Sequence, residues 1–325
     1  MHLSDDSFLK ARNFANKLWN ASRFVLMNLT GYRAQPLPPA DELAMADRWL
    51  LDELQQTIEQ TSQALSSYNP AEAARVLYEF TWGSLCDWYL EVSKVVLTGT
   101  DGRPREIKQS MLVHVLESCL RLLHPFMPYE TEQLYQSLKP FLSDPQESIM
   151  IRPWPQADPS RRDADASARM ARVQNLTTAL RTVRKEMNIP DAQKVRCQIQ
   201  SDQPEWKSLL QNPEVVGAVE FLVKIQPGQL QMSASGRPAN SAVAVFNGGE
   251  AYIPLENLID KEKEKSRLLK NRQQLASLAE RGRVALENQN FIERAPKEEV
   301  ESRRETLRQT EQKIQRIDRN LEGLS

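Results

Sequence analysis

A chain of 325 residues, 40% hydrophobic and 26% charged, is long enough for two or three domains, each with its own core. Its 42 Lys and Arg against 43 Asp and Glu leave a formal charge of −1, which excludes a global positive field, so any nucleic-acid binding must use local patches. Three cysteines, Cys86, Cys119 and Cys197, stand far apart with no CxxC pair, which argues against zinc clusters and a disulfide framework and fits a reducing cytoplasm. No basic segment followed by an apolar run opens the chain, and no stretch approaches about 18 consecutive apolar residues, so neither an export signal nor a membrane span is expected.

Residues from about 5 to 150 read as helices punctuated by proline. After Pro36-Leu37-Pro38-Pro39 and a candidate cap at Asp41, Leu43, Leu50, Leu54, Ile58, Thr61 and Leu65 recur at helical spacing. Asn69-Pro70-Ala71-Glu72 then supplies a cap, a proline at the first helical position and an early acid. The helix that follows is expected to bury one stripe of Leu77, Phe80, Ser84, Trp88, Val92 and Val95. Another begins after Asp101-Gly102-Arg103-Pro104, with Ile107, Met111, Val115, Cys119 and Leu122 inward. Together these predict an antiparallel bundle over 1–153.

Arg152-Pro153-Trp154-Pro155 and the polar stretch to Asp165 read as a linker, followed by an amphipathic helix through Met170, Val173, Leu176, Leu180, Val183 and Met187. From about 190, short β-prone runs (194–200, 219–226 and 242–246) alternate with turn signals such as Asn247-Gly248-Gly249. Residues 154–254 are therefore assigned a linker helix and a small α+β module. The segment 255–325 changes to nearly continuous charge. Val300, Leu307, Ile314 and Leu321 stand seven apart, with Arg303, Thr310, Ile317 and Leu324 interleaved three residues later as the second row of a heptad seam. Leu268 and Leu275 carry the same spacing in an earlier helix, Asn288 to Ala295 breaks the two, and Pro296 with Glu298 and Glu299 marks a new helix start. The fold class is mainly α, and the C-terminal element is an antiparallel coiled-coil hairpin.

Several segments resemble one family. Phe14-Ala15-Asn16-Lys17-Leu18-Trp19-Asn20-Ala21-Ser22-Arg23-Phe24 is similar to the opening helix of the anticodon-binding domain in the valine, isoleucine and leucine group of class I aminoacyl-tRNA synthetases. Thr81-Trp82, Cys86-Asp87-Trp88-Tyr89-Leu90-Glu91 and His124-Pro125-Phe126-Met127-Pro128-Tyr129 resemble later helices of that domain. Arg181-Thr182-Val183-Arg184-Lys185-Glu186-Met187 and Asn290-Phe291-Ile292-Glu293-Arg294-Ala295-Pro296 resemble segments of the bacterial-type valyl-tRNA synthetase family in particular. The resemblance runs in order along nearly the whole chain and implies an anticodon-binding domain followed by a tRNA-binding arm.

That resemblance implies tRNA, specifically valine tRNA, as partner, together with the catalytic domain of the synthetase in cis or in trans, in a cytoplasmic monomer that binds no membrane. Class I catalytic domains carry His-Ile-Gly-His-like and Lys-Met-Ser-Lys-Ser-like motifs, and neither occurs in this sequence. Hence no catalytic residue, no metal site and no cofactor is assigned here; ATP and Mg belong to the catalytic domain of the full-length family. The alternative is a stand-alone, non-catalytic interaction protein derived from the synthetase C-terminus. Candidate tRNA contacts are Lys17, Asn20 and Arg23, whose three- and four-residue spacing places them near one another on a helix; Arg181, Arg184 and Lys185, on the basic side of the later helix; and, from the family likeness, Lys265, Arg272 and Arg294.

Plainer roles are expected for other residues. Trp19 and Phe24 are expected in the core, as aromatics on amphipathic helices usually are. Asp87 and Glu91, with no nucleophile or metal set beside them, are expected in structural polar contacts, His124 in a structural hydrogen bond, and the cysteines buried and inert. The purified chain is expected not to support valine-dependent exchange of pyrophosphate into ATP; measurable exchange by a clean preparation would refute the domain assignment.

Overall fold

A computed structural model describes residues 5–99, 102–233, 236–255, 258, 261–288 and 295–324. The chain forms two compact units, the first running to Arg172 and the second from Val173.

The first unit contains α1 (Asp5–Met27), α2 (Met45–Ser66), α3 (Pro70–Tyr78), a π-helical segment (Glu79–Tyr89), α4 (Leu90–Leu97), α5 (Arg103–Leu123) and α6 (Pro128–Leu138). Helix α5 is central: it contacts α1, α2, α3, α4 and α6, and it is buried on nearly every side, polar Gln109, Ser110 and Ser118 included. A helix wrapped by neighbours cannot send its polar groups to water, so they must find partners inside. The Gln109 amide donates to the Asn28 carbonyl at 2.7 Å. Lys108, only 2% exposed, forms an ion pair with Asp47 of α2, which is 1% exposed and also accepts the Tyr89 hydroxyl at 2.6 Å. The same carboxylate accepts the Ala44 backbone N–H at 3.2 Å at the start of α2. The cap expected at Asp41 is therefore replaced by Asp47, three residues inside the helix rather than before it.

The Asn69 cap forms as expected, its Oδ1 accepting from the Glu72 N–H at 3.2 Å, with Pro70 in the first turn. The stripe beyond it differs. In the Glu79–Tyr89 segment the backbone bonds i→i+5, and the buried set adopts that spacing: Phe80, Leu85 and Leu90 in one row, Thr81 and Cys86 in the next. Ser84 and Trp88, expected inward at α-helical spacing, are left half-buried, and so is Val95. Widening the turn brings Thr81 Oγ1 to 3.1 Å from Cys119 Sγ of α5 and aims Tyr89 at Asp47.

The segment expected as a linker after Pro153 is tied down. Trp154 Nε1 donates to Ser62 Oγ at 2.9 Å, the Asp158 N–H to Gln55 Oε1 at 2.8 Å, and Arg162 Nε to Asp52 Oδ1 at 2.6 Å. Asp52 also accepts from the Asp163 N–H and the Ser167 hydroxyl. Burial acts to raise the Asp52 pKa, yet these donors and the Arg162 charge hold it below the usual carboxylate value. A buried carboxylate on α2 thus gathers a strap that composition alone reads as loose.

Helix α7 (Ala164–Glu186) carries the chain into the second unit. There β1 (Val195–Gln200), α8 (Pro204–Leu210), α9 (Pro213–Val223), β2 (Ile225–Met232), β3 (Ser241–Phe246) and β4 (Gly249–Pro254) form a four-stranded sheet in the order β2-β1-β4-β3. β1 and β2 are parallel, joined through α8 and α9; β4 runs antiparallel to both its neighbours. The β-prone run 219–226 is instead the end of α9, capped by Asn212 and closed by Lys224 at φ 61, and β2 begins only at Ile225. Val219, Leu222 and Val223 suit strand and helix alike, and the Asn212-Pro213 start decides for helix. The turn at Asn247-Gly248-Gly249 joins β3 to β4 as expected, and a Cβ on Gly249 would stand 2.3 Å from the Gln200 carbonyl oxygen, so only glycine fits there.

Helices α10 (Lys261–Glu287) and α11 (Lys297–Leu324) pack along each other as a hairpin. Leu268, Ala279, Val300, Thr310 and Ile317 are buried, and Leu275, Leu307, Ile314 and Leu321 half-buried. Gly282 faces Leu307 closely enough that a Cβ would meet its Cδ1 at 3.5 Å. Arg303, expected in the seam, is exposed and 4.0 Å from Glu299; Arg272 lies outside the seam on the flank and pairs with Asp318. An alkyl-ammonium or guanidinium in the seam would be desolvated, whereas one turn away it reaches an acid. The side chain of Leu324 and the break at 289–294 lie outside the described residues. The root of the hairpin docks on the sheet: Asn320 Oδ1 accepts the Val243 N–H at 3.1 Å at the β3 edge, and Arg237 donates to the Arg319 carbonyl at 2.9 Å.

Replacing Lys108 by Met leaves the Asp47 carboxylate buried without its counter-charge, and urea unfolding should show a loss of about 3–5 kcal/mol. Adding Asp47→Asn should recover much of it, since Tyr89 keeps an acceptor and no bare charge remains; a single variant within 1 kcal/mol of the parent would contradict the role given to this pair.

Candidate nucleic-acid interface

Helix α1 buries Phe14, Leu18, Ala21 and Val25, spaced four, three and four apart, and presents the opposite face outward. Lys17 is on the border. Its ammonium pairs with Asp87 at 2.5 Å and lies 4.7 Å over the Trp82 ring, which stacks on Tyr78 at 5.5 Å; Tyr78 in turn meets Phe14 at 5.2 Å. This candidate is thus engaged in joining α1 to the π-helical segment. Asn20 and Arg23 are exposed on the outer face. Trp19, expected in the core, is 46% exposed beside them, and Phe24 is half-buried under the Lys94 ammonium at 5.7 Å. Position 19 falls off the 14/18/21/25 stripe, so helical phase turns Trp19 outward despite its aromatic character. An exposed indole next to an amide and a guanidinium offers a stacking surface with adjacent hydrogen-bond donors.

Asp87 and Glu91 make the structural contacts expected of them, with Lys17 and Lys94. His124 Nδ1 is 2.7 Å from Thr131 Oγ1 at the turn into α6. His114 is pushed down to about 4, by burial first and by the charges of Arg121 and Arg161, and so is neutral at physiological pH. Among the described residues no group of three His, Cys, Asp or Glu is placed to hold a metal ion, and no helix is long and apolar enough to cross a membrane.

At the end of α7 the three basic candidates separate. Arg184 is only 5% exposed; its Nη2 donates to the carbonyls of Pro190 and Gln193, at 2.9 and 2.8 Å, and burial lowers its pKa against the opposing pull of Asp191. Arg181 donates from Nε to the Leu222 carbonyl at 3.1 Å, while Lys185 is exposed. They line an open cleft with Asn188, Asp191 and Lys224, a residue absent from the sequence candidates because nothing in a single chain shows that α9 ends beside α7. Glu186, turned the other way, meets Arg316 at 3.5 Å, and its backbone carbonyl accepts from Arg267, so the end of α7 anchors both hairpin helices.

On the hairpin, Lys265 is half-buried, and Arg272 and Arg283 bridge to Asp318 and Glu311 of the facing helix. These cations stitch the two helices together, leaving Lys270 and Arg281 exposed on α10. Arg294 lies outside the described residues.

Two families match the sequence. One, described as the anticodon-binding domain of tRNA ligase, covers residues 47–200; the other, described as the valyl tRNA synthetase tRNA binding arm, covers 260–325. Valine–tRNA ligases of Geobacter sulfurreducens and Thermotoga maritima are each 38% identical over 96% of the chain, and that of Bacillus subtilis 36% over 90%. The chain spans about a third of the length of these relatives, 35%, 34% and 32%.

Cys86, Cys119 and Cys197 are buried, and burial pushes their thiols up to about 12, 11 and 12. The native chain should therefore leave all three unreacted with a disulfide reagent at pH 8 and release three equivalents only on unfolding. Rapid native labelling of even one would show that the cores open around them.

Proposed function

Because the chain belongs to the valyl-tRNA synthetase family, matching its C-terminal region, we propose that it is the tRNA-binding part of a valine–tRNA ligase. The observation that carries this reading is the order of parts on one chain: an anticodon-binding domain, then an arm that folds as a charged helical hairpin. The bundle holds the anticodon end of valine tRNA. Exposed Trp19, Asn20 and Arg23 supply its base and phosphate contacts, and Lys17 supports them by holding α1 in place. The hairpin, with helices of 27 and 28 residues, is about 40 Å long at 1.5 Å per residue and reaches toward the elbow of the L-shaped RNA. Lys265, Arg272 and Arg294 remain assigned to that contact, with Arg272 exchanging its partner Asp318 for a phosphate. Activation of valine, with ATP and Mg, belongs to a catalytic part supplied in cis or in trans, and the chain acts as a cytoplasmic monomer with no cofactor of its own.

Valine tRNA should bind the chain with an affinity that falls as salt rises from about 50 to 200 mM, because Lys and Arg displace counterions from phosphates. Arg23→Ala should weaken binding by about 1 kcal/mol or more, whereas Trp19→Ala should cost about 1–3 kcal/mol with little change in salt dependence if the indole stacks on a base. Equal affinity for unrelated RNA hairpins would sink the specific reading.

A further inference from the structure

An open cleft of about 810 Å³ lies where α7 and α9 end, lined by Arg181, Arg184, Lys185 and Lys224 with Asp191 as the acidic neighbour. Cations gather at helix C-termini to answer exposed carbonyls. That explains part of this cluster: Arg181 bonds the Leu222 carbonyl, and Arg184 bonds those of Pro190 and Gln193. It leaves the rest unexplained. Lys185 points into solvent, and Lys224, fixed at φ 61 just beyond α9, holds its ammonium 4.7 Å over the Phe221 ring; among the described residues neither pairs with a carboxylate. Arg184 Nη1, in a side chain 95% buried, has no hydrogen-bond acceptor among the described residues. Four positive groups thus face one negative one, and a buried guanidinium lacking full compensation raises the potential of the wall behind the two lysines.

Such an excess of positive charge attracts an anion. A single free phosphate would fill little of a cleft this size, whereas a nucleotide chain passing through it would occupy more of its length beside the two exposed lysines. We infer that this cleft binds a phosphodiester of the RNA backbone, with Lys185 and Lys224 as its direct contacts and Arg184 shaping the wall without touching the ligand. The choice of RNA as the source rests on the tRNA-binding reading above.

The test uses the full chain and valine tRNA, comparing Lys185→Glu and Lys224→Glu with Lys207→Glu, an exposed charge control on α8. Each cleft variant should bind tRNA about tenfold more weakly at low salt than the control. Each should also lower the slope of log affinity against log salt by about 1, one phosphate contact's worth, with an unchanged melting curve. If the parent chain binds tRNA and both cleft variants match the control in affinity and slope, the cleft assignment is overturned while the tRNA reading stands. If the parent does not bind tRNA, that reading falls and the RNA assignment falls with it. Titration with inorganic phosphate separates the sources: saturable amide shifts at Asn188, Asp191 and Lys224, with tRNA affinity unaffected by the variants, would assign the cleft to a free phosphate ligand and overturn the RNA proposal.

Discussion

The first unit depends on one buried carboxylate. Asp47 is removed from water and answers three donors from three directions: the Lys108 ammonium on α5, the Tyr89 hydroxyl at the end of the π-helical segment, and the Ala44 N–H at the start of α2. An ion of either sign buried alone would be costly, so neither Asp47 nor Lys108 tolerates a packing arrangement that separates them. Hydrophobic stripes slide with modest penalty, and this contact does not. It fixes the register of α2 against α5, and through Tyr89 it sets the rotation of the segment that carries Trp82 and Asp87 toward α1.

The π-helical turns follow from the same geometry. A uniform α-helix from Pro70 to Leu97 would place Ser84 and Trp88 on the inner row, and the structure instead buries Phe80, Leu85 and Leu90 at five-residue spacing. Wider turns of this kind are rare and occur frequently at functional sites. Here they place Asp87 where Lys17 of α1 can pair with it, so the face carrying Trp19, Asn20 and Arg23 is positioned from the far side of the helix.

Charge is used in two distinct ways. Near-neutral composition conceals cations such as Arg184, Arg267 and Arg272, which hold turns, the root of the hairpin and its two helices together. Exposed ion pairs of the last kind contribute little stability individually, but they keep the helices in register and leave donors that can change partner. Other cations, Arg23, Lys185 and Lys224, are placed where no carboxylate among the described residues pairs with them. The distinction between these groups, rather than net charge, sets where positive charge is left exposed.

The sequence by itself determined the helical class, the Asn69-Pro70 helix start, the β3–β4 turn at Gly248-Gly249 and the heptad hairpin, because caps, turn residues and apolar periodicity act over a few residues and are written locally. It also carried the family likeness that the comparisons bear out. What only the tertiary structure decided was which polar groups lose water. Asp52 turns a polar stretch into a strap, Asp47 replaces Asp41 as the cap of α2, and Arg303 leaves a seam that its heptad position would assign it. The same holds for the candidate contacts. Lys17, Arg184 and Lys185 look alike in sequence, and whether each faces a carboxylate, a carbonyl or solvent depends on whether Asp87, 70 positions from Lys17, and the turn through Gln193 beyond α7 are brought beside them. Desolvation and pairing are properties of the packed neighbourhood, and a one-dimensional pattern contains the residue types without that neighbourhood.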